Sequence, residues 1–486
     1  MAFRATFIGA GSITFTRNLV RDLLSVPEFR DTELVFMDIN EENLRMATEL
    51  VQRDIDANGV PVKIRATTDR RAALAGAKYV FNVVRIGGLE AFAMDVDIPL
   101  KYGVDQCVGD TLCAGGILYG QRGIAFMLDL CRDIREVAAA GCLLLNYANP
   151  NAMMTWAALK YGGVRCVGLC HGVQGGHQQI ADVLGAKYED VDIVCAGINH
   201  QTWYVQVKLH GQPVAMERIL EGFRNHPRYA QEEKVRIDIM ERFGYYSTES
   251  NGHLSEYVAW YRKRPDEIAQ WINTDSWING ETGGYLRVCT ENRNWFETEF
   301  PQWMAEPPFV FGQDKRSHEH GSRIVEGLET GRVYRGHFNV MNNGAIANLP
   351  DECIVEVPGY VDHNGISIPQ VGELPMGCAA VISNSIWVQR LSVEAAVAGD
   401  DKLLRQALLL DPLVGAVMNP PEVWQMADEM LVAEAEWLPQ YTDAIAAARE
   451  RLAKGPRIPT KEGYRGAVRL HVKSVEELKD EKEKKA

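Results

Sequence analysis

The sequence predicts an α/β protein whose first half is a doubly wound parallel sheet with helices on both faces. Three observations carry this. Short apolar runs alternate with amphipathic stretches through the first 200 residues. The runs have strand length and the stretches between them carry the apolar period of a surface helix. A glycine turn, Gly9-Ala10-Gly11-Ser12, closes the first run and opens the first helical stretch. Strands joined by helical crossovers lie parallel, because a tight hairpin cannot connect parallel neighbours.

Taken in order, strands are expected at 5–8, 34–37, 62–66, 79–84, 143–146 and 165–169, with helices at 14–24, 42–57 and 117–139. After His200 the rhythm changes. A strand at 203–209 and a helix at 232–243 lead into a tryptophan-rich stretch from Trp260 through Trp271, Trp277, Trp295 and Trp303. Alternating segments at 353–358 and 366–370 suggest antiparallel strands, and helices follow through 451. This half reads as α+β, packed on the first to close a cleft. The expected division is a dinucleotide-binding domain at 1–200, a substrate and oligomerisation domain at 201–455, and a charged extension at 456–486. The Lys- and Glu-dense end, 474–486, reads as a solvated helix or frayed tail.

Composition narrows the function. The chain has 486 residues, 46% of them hydrophobic and 24% charged, which is the profile of a globular protein. Lys and Arg number 51 against 65 for Asp and Glu, a net charge of −14 that phosphate backbones and anionic bilayers would repel. No uncharged apolar run approaches the roughly 18 residues of a membrane-spanning helix. The start shows no secretory pattern, and ten cysteines without a CxxC pair do not read as a disulfide framework. The expectation is a cytoplasmic protein that binds neither nucleic acid nor membrane.

The glycine turn is the strongest local motif. Gly9 permits the tight turn and Gly11 lets the backbone approach a pyrophosphate at the positive end of the helix, where Ser12 and Ile13 lie. Thr14 replaces the third glycine of the usual fingerprint. Asp38 ends the second predicted strand, where a carboxylate accepts from both ribose hydroxyls and repels a 2′-phosphate, favouring NAD over NADP. It would equally serve as a cap for the next helix. Ile86-Gly87-Gly88 offers a second flat surface for the cofactor.

Three further groups sit at predicted strand ends, where open α/β sheets bind ligands. They are Asn146-Tyr147-Ala148-Asn149-Pro150, Cys170-His171-Gly172-Val173 and Gly197-Ile198-Asn199-His200. A thiolate and an imidazole would leave positions open on a borderline divalent ion. Taken singly, each group also fits packing or capping.

Together the motifs GAGS, DTLCAGG (110–116), NYANP, GLCHGVQG (168–175), AGINH, FGYYSTES (243–250) and NLP (348–350) resemble the NAD- and manganese-dependent glycoside hydrolases of family four, the melibiase-type α-galactosidases among them. The resemblance spans most of the chain. It implies a Rossmann-like sheet of the lactate and malate dehydrogenase superfold, and a redox route to retaining hydrolysis of an α-galactoside or α-glucoside. In that route NAD takes hydride from sugar C3 and the ketone acidifies the C2 proton. The metal stabilises the enediolate as a Lewis acid, the aglycone leaves, water adds at C1, and the hydride returns.

The resemblance further implies Cys170 and His200 as metal ligands and His171 as the acid that assists the leaving group. It makes Asn149 the asparagine that holds the sugar and the metal. Asn146 joins the cofactor set of Gly9, Gly11, Ser12, Ile13, Asp38, Ile86 and Gly87. The C2 base is expected in the pair Tyr245 and Tyr246, its phenol acidified by the metal, or else the pair is core packing. Asn199 and His253 are secondary substrate candidates. Family precedent implies a homodimer or homotetramer.

Four features depart from the melibiase pattern: Gly172 where a serine is usual, Arg85 before the Ile-Gly-Gly turn, the tryptophan-rich stretch, and the C-terminal extension. Arg85 is expected either to pair with a carboxylate such as Glu90 or to clamp an anionic sugar substituent. The second option admits a sulfoquinovoside or uronide as substrate. Rivals from other classes are a simple NAD-dependent sugar dehydrogenase, which would accumulate NADH, and a non-catalytic NAD sensor.

Overall fold

The computed structural model describes residues 2–276, 278–455 and 457–485, so Trp277 lies outside the described residues. The first six strands are β1 (Arg4–Ile8), β2 (Glu33–Met37), β3 (Ile64–Thr67), β4 (Tyr79–Asn82), β5 (Leu143–Asn146) and β6 (Arg165–Gly168). They pair in parallel in the order β3-β2-β1-β4-β5-β6, the doubly wound arrangement that the alternation predicts. The Rossmann-like half is therefore as expected, with β3 shifted by one or two residues.

The other half has the expected antiparallel strands near 203–209, 353–358 and 366–370, but places them differently than expected. Its strands are β7 (Val191–Ile198), β8 (Gln201–Leu209), β9 (Gln212–Pro213), β10 (Tyr334–Met341), β11 (Ile354–Asp362) and β12 (Gly365–Ser367). They do not form a layer packed on the first sheet. β10 pairs antiparallel with β6, β11 with β10, and β7 with β11, so one sheet runs on through β8 and β9. The expected boundary at 200 falls in the turn of the β7–β8 hairpin. A hairpin that joins β6 from residue 334 onward, far along the chain, leaves no signature in local hydropathy.

Local rules account for the helices. The helix Glu41–Ala57 begins where the Asn40 side chain accepts from the Asn43 N–H, and it buries Leu44, Ala47, Leu50, Val51 and Ile55 on one face. The long helix Cys113–Val137 is buried around most of its circumference. Its Gly120 and Gly123 let the helix Asn151–Ala157 approach closely, since added Cβ atoms would lie 2.8 and 2.6 Å from the Met153 and Met154 sulfurs. This packing fixes the base of the loops at the C-terminal strand ends. The tail helix Val475–Lys485 lies against the helix Gly284–Thr298 and its continuation, through Lys479–Glu299 and Lys482–Glu306 ion pairs.

Candidate active site

The turn after β1 has the geometry of a phosphate cradle. Gly9 has φ +88° and Gly9 and Ala10 both donate to the Met37 carbonyl, drawing the turn against β2. At Gly11 a Cβ would lie 2.8 Å from Asp38 Oδ2, which accepts the Gly11 N–H at 2.8 Å. Ser12 stands at the N-cap of the helix Ile13–Leu24 without a side-chain capping bond, so the first-turn N–H groups face an uncapped end. Ile13 contributes only backbone there, its side chain being buried. Asp38 also accepts from the Asn40 N–H at 3.0 Å. Its two oxygens keep lone pairs for ribose hydroxyls, because a carboxylate offers about four acceptor sites. Gly87 has φ +82° and Ile86 offers its carbonyl to Arg122 Nε at 3.3 Å. These residues fit a dinucleotide.

Asn146 is part of the support beneath this surface. It is fully buried, accepting from Asn82 Nδ2 at 2.9 Å and donating to the Ala148 carbonyl at 3.1 Å. It shapes the turn that presents Asn149, whose Nδ2 donates to Asp110 Oδ2 at 2.9 Å.

Beside that turn, two strand ends and the loop before the helix Asn251–Tyr257 bring together three side chains that could hold a metal ion. His200 has φ +63° and donates or accepts through Nε2 at 3.2 Å from Cys170 Sγ. Glu249 Oε2 lies 3.2 Å from His200 Nε2 and 3.6 Å from Cys170 Sγ. Thr111 Oγ1 is 3.0 Å from His200 Nδ1, which leaves Nε2 directed at the cluster. Burial, reinforced by the Glu249 charge, holds the Cys170 thiol well above its usual value of 9. A bound cation would reverse that and take the thiolate. For Glu249, burial raises the carboxyl but the imidazoles of His200, His253 and His171 outweigh it and hold it at about 2. A soft thiolate, an imidazole and a carboxylate form a donor set that fits a divalent first-row ion.

Around this cluster His253 stands with its ring edge-on to His200 at 5.0 Å, its Nδ1 2.7 Å from Ser250 Oγ, and burial pushes it down to about 4. Asn199 is fully buried and donates to Glu356 Oε2 at 3.4 Å. Burial, with the Glu249 charge adding, pushes Glu356 up to about 8. His171 is exposed, and its hydrogen bond with Glu319 raises it to about 9; Nδ1 is 3.3 Å from Glu319 Oε1.

The two tyrosines separate. Tyr246 is completely buried, stacks on Phe223 at 4.1 Å and gives its hydroxyl to Gln179 Oε1 at 2.9 Å. Burial holds its phenol well above 10, so of the expected pair Tyr246 is packing. Tyr245 is half-buried and packs against the core cluster that includes Trp203, Leu254 and Tyr257.

Arg85 does not pair with Glu90, which binds Arg293 at 2.9 Å instead. Its guanidinium is framed by Phe92, Tyr285 and Tyr119 at 4.5, 5.3 and 5.6 Å; Nη2 lies 3.8 Å from Cys289 Sγ, and the buried Nη1 has no hydrogen-bond partner among the described residues. Glu249 and Asp110 were inside quoted motifs yet not singled out, and Glu319 and Glu356 had no sequence signal, since each acts across the fold.

Such a site on such a sheet defines a class, a dinucleotide-fold enzyme that gathers a thiol, an imidazole and a carboxylate within 3.6 Å of one another. The chain belongs to family 4 of the glycosyl hydrolases and is a glycoside hydrolase. The family model described as family 4 glycosyl hydrolase matches residues 4–186, and that for the family's C-terminal domain matches 195–414. The chain is 58% identical to an α-galactosidase of Rhizobium meliloti over 99% of its own length and 98% of the relative's. It is 32% identical to an α-galactosidase of Bacillus subtilis, over 90% of this chain and 99% of that one. A 6-phospho-α-glucosidase from gut microorganisms, solved with NAD and glucose-6-phosphate, is similar at 26% identity and a TM-score of 0.75, covering 90% of this chain and 99% of that one.

Proposed function

We propose that this hydrolase is an NAD-dependent retaining α-glycosidase whose substrate is a neutral α-galactoside, with an α-glucoside as the nearest variation. The convergence of Cys170 and His200 at strand ends beside the Asn149 turn carries the reading, and the two α-galactosidase relatives support the sugar. Gly9, Gly11, Ser12, Ile13, Asp38, Ile86 and Gly87 would hold the dinucleotide, and Cys170 and His200 a divalent cation, manganese in the family resemblance. When bound, NAD supplies a reversible hydride acceptor and the cation a Lewis acid for the oxygens at C2 and C3.

The protein's own groups do the rest. Asn149, fixed by Asp110, orients the sugar hydroxyls. His171, charged beside Glu319 and open to the pocket, holds a proton for the glycosidic oxygen. Tyr245 takes the proton from C2, while Asn199 and His253 line the sugar side. In this reading residues 1–200 bind the dinucleotide and 201–455 close the sugar pocket and make subunit contacts. A homodimer or homotetramer would cover the helix Met376–Ala398, which is rich in apolar residues and exposes Met376 and Trp387. No helix of the described residues is long and apolar enough to cross a membrane. Ten free cysteines suit a reducing, cytoplasmic setting.

The unpartnered Arg85 Nη1 supports a second reading, in which the same route serves an anionic α-glycoside, a uronide or sulfoquinovoside. One assay separates them: chromogenic α-glycosides, neutral and anionic, with NAD and Mn²⁺ and with each omitted. The expected result is turnover of the α-galactoside that needs both additions and accumulates no NADH. Turnover without NAD would overturn the proposal, and NADH rising with substrate would assign a dehydrogenase.

A further inference from the structure

We propose that Glu249 is a third protein ligand of the divalent cation, and that the glycine at 172 is what lets it reach. The inference rests on the reading of Cys170 and His200 as metal ligands and adds to it a carboxylate from 49 residues beyond His200. The three donor atoms form a triangle with edges of 3.2, 3.2 and 3.6 Å. Bonds of about 2.1 Å to nitrogen or oxygen and about 2.3 Å to sulfur place neighbouring ligands about 3.0–3.6 Å apart, across octahedral to tetrahedral angles. The triangle therefore has the size of one face of a coordination shell, leaving the opposite side for water and sugar oxygens.

Charge points the same way. Cys170 and His200 are buried and the Glu249 side chain is 15% exposed. Among the described residues no Arg or Lys forms an ion pair with Glu249; its ion-pair partner is His200. A buried carboxylate needs a counter-charge. A dication held by one thiolate would keep one net positive charge, and Glu249 neutralises it. A hard carboxylate oxygen also turns a soft thiolate–imidazole pair toward manganese-like ions.

Gly172 supplies the space. A Cβ built there would lie 2.2 Å from Glu249 Oε2 and 2.7 Å from its Cδ. The backbone at 172 is not in the left-handed region, so the requirement is for room alone. Its N–H points at Cys170 Sγ from 3.4 Å, which supports the thiolate. The departure from serine at this position and the inward carboxylate are thus one feature.

The test is metal binding by the full-length protein, stripped of metal and free of NAD, titrated with Mn²⁺ and read from the free-ion electron paramagnetic resonance signal. Co²⁺ loading reports the thiolate bond optically. Cys170→Ser should abolish binding. Glu249→Gln and, independently, Gly172→Ser should each raise the Mn²⁺ Kd at least tenfold while keeping the thiolate-to-Co²⁺ band, with thermal unfolding confirming a folded chain. If Cys170→Ser loses the metal but both other variants bind as wild type, Glu249 is no ligand and the two-ligand site stands. If Cys170→Ser binds as wild type, the metal reading falls and this inference falls with it.

Discussion

Tyr245 and Tyr246 are neighbours in sequence with opposite surroundings, and sequence alone does not separate them because side-chain direction at a turn is set by what the chain packs against. Tyr246 sits on Phe223 with its hydroxyl engaged by Gln179. Tyr246→Phe should cost about 1 kcal/mol, the worth of one buried hydrogen bond, and leave turnover near wild type. Tyr245→Phe should lower kcat by roughly 10²-fold or more, the usual share of a general base, with little loss of stability. Thermal unfolding and steady-state kinetics on both variants check the pair. Equal kcat losses would show that neither acts as a base. Taken singly, Cys170 and His200 fit packing or capping as well as metal binding; the family resemblance singled them out, and the fold brings Sγ and Nε2 to 3.2 Å of each other. Glu249 was not singled out: its role exists only where the chain returns to Cys170, 79 residues away. Arg85 was legible as unusual, but its expected partner was wrong because Arg293 reaches Glu90 first.

At the level of elements, the six parallel strands and their helices follow from apolar periodicity, caps and glycine turns, all local. The strand β10 escaped because polar side chains interrupt its apolar run. In β10, Arg335 donates to the Ile193 carbonyl at 2.6 Å and His337 Nε2 accepts the Cys195 N–H at 3.2 Å, so polar residues fill a central strand by binding β7 across β11. That arrangement needs His337 neutral. Burial, with the charges of His320, Arg335 and His177 adding, holds it well below its free value of 6.5. Between those two values the folded chain binds fewer protons than the unfolded one, so stability rises with pH and is lost as pH falls. The unfolding midpoint should drop steadily below about pH 6.5. His337→Gln, whose amide oxygen accepts the same N–H without titrating, should show a shallower drop in calorimetry between pH 8 and 5. An unchanged slope would assign the acid sensitivity to other groups.

Across the whole molecule, the segments that wall the site are bound to one another and also to the C-terminal extension. Fully buried Asp105 accepts from Arg262 Nη2 at 2.6 Å, from Thr282 Oγ1 at 2.8 Å and from the Ala467 N–H at 2.7 Å. The Thr282 N–H donates to the Val468 carbonyl at 2.6 Å, and Arg469 reaches Asp97 at 2.6 Å. This strap therefore ties the loop before Asp110 to the start of the helix Gly284–Thr298, which carries Tyr285 against Arg85. Charge density in the sequence marked the last stretch as solvated, and its helix is largely exposed, but the run before it docks through the Ala467 N–H, the Val468 carbonyl and Arg469, contacts that composition does not register. Removing residues 456–486 should leave Asp105 one donor short, about 1.5–3 kcal/mol for a bond to a charged group, and loosen the Tyr285 wall. Gly466 offers a point test: at φ +93° a Cβ would lie 2.3 Å from Thr282 Cγ2, so Gly466→Val should lift the strap. Both changes should lower the unfolding midpoint, speed hydrogen exchange across 284–298 and raise KM more than they lower kcat. Wild-type exchange in that helix after truncation would mean that the wall stands without its strap.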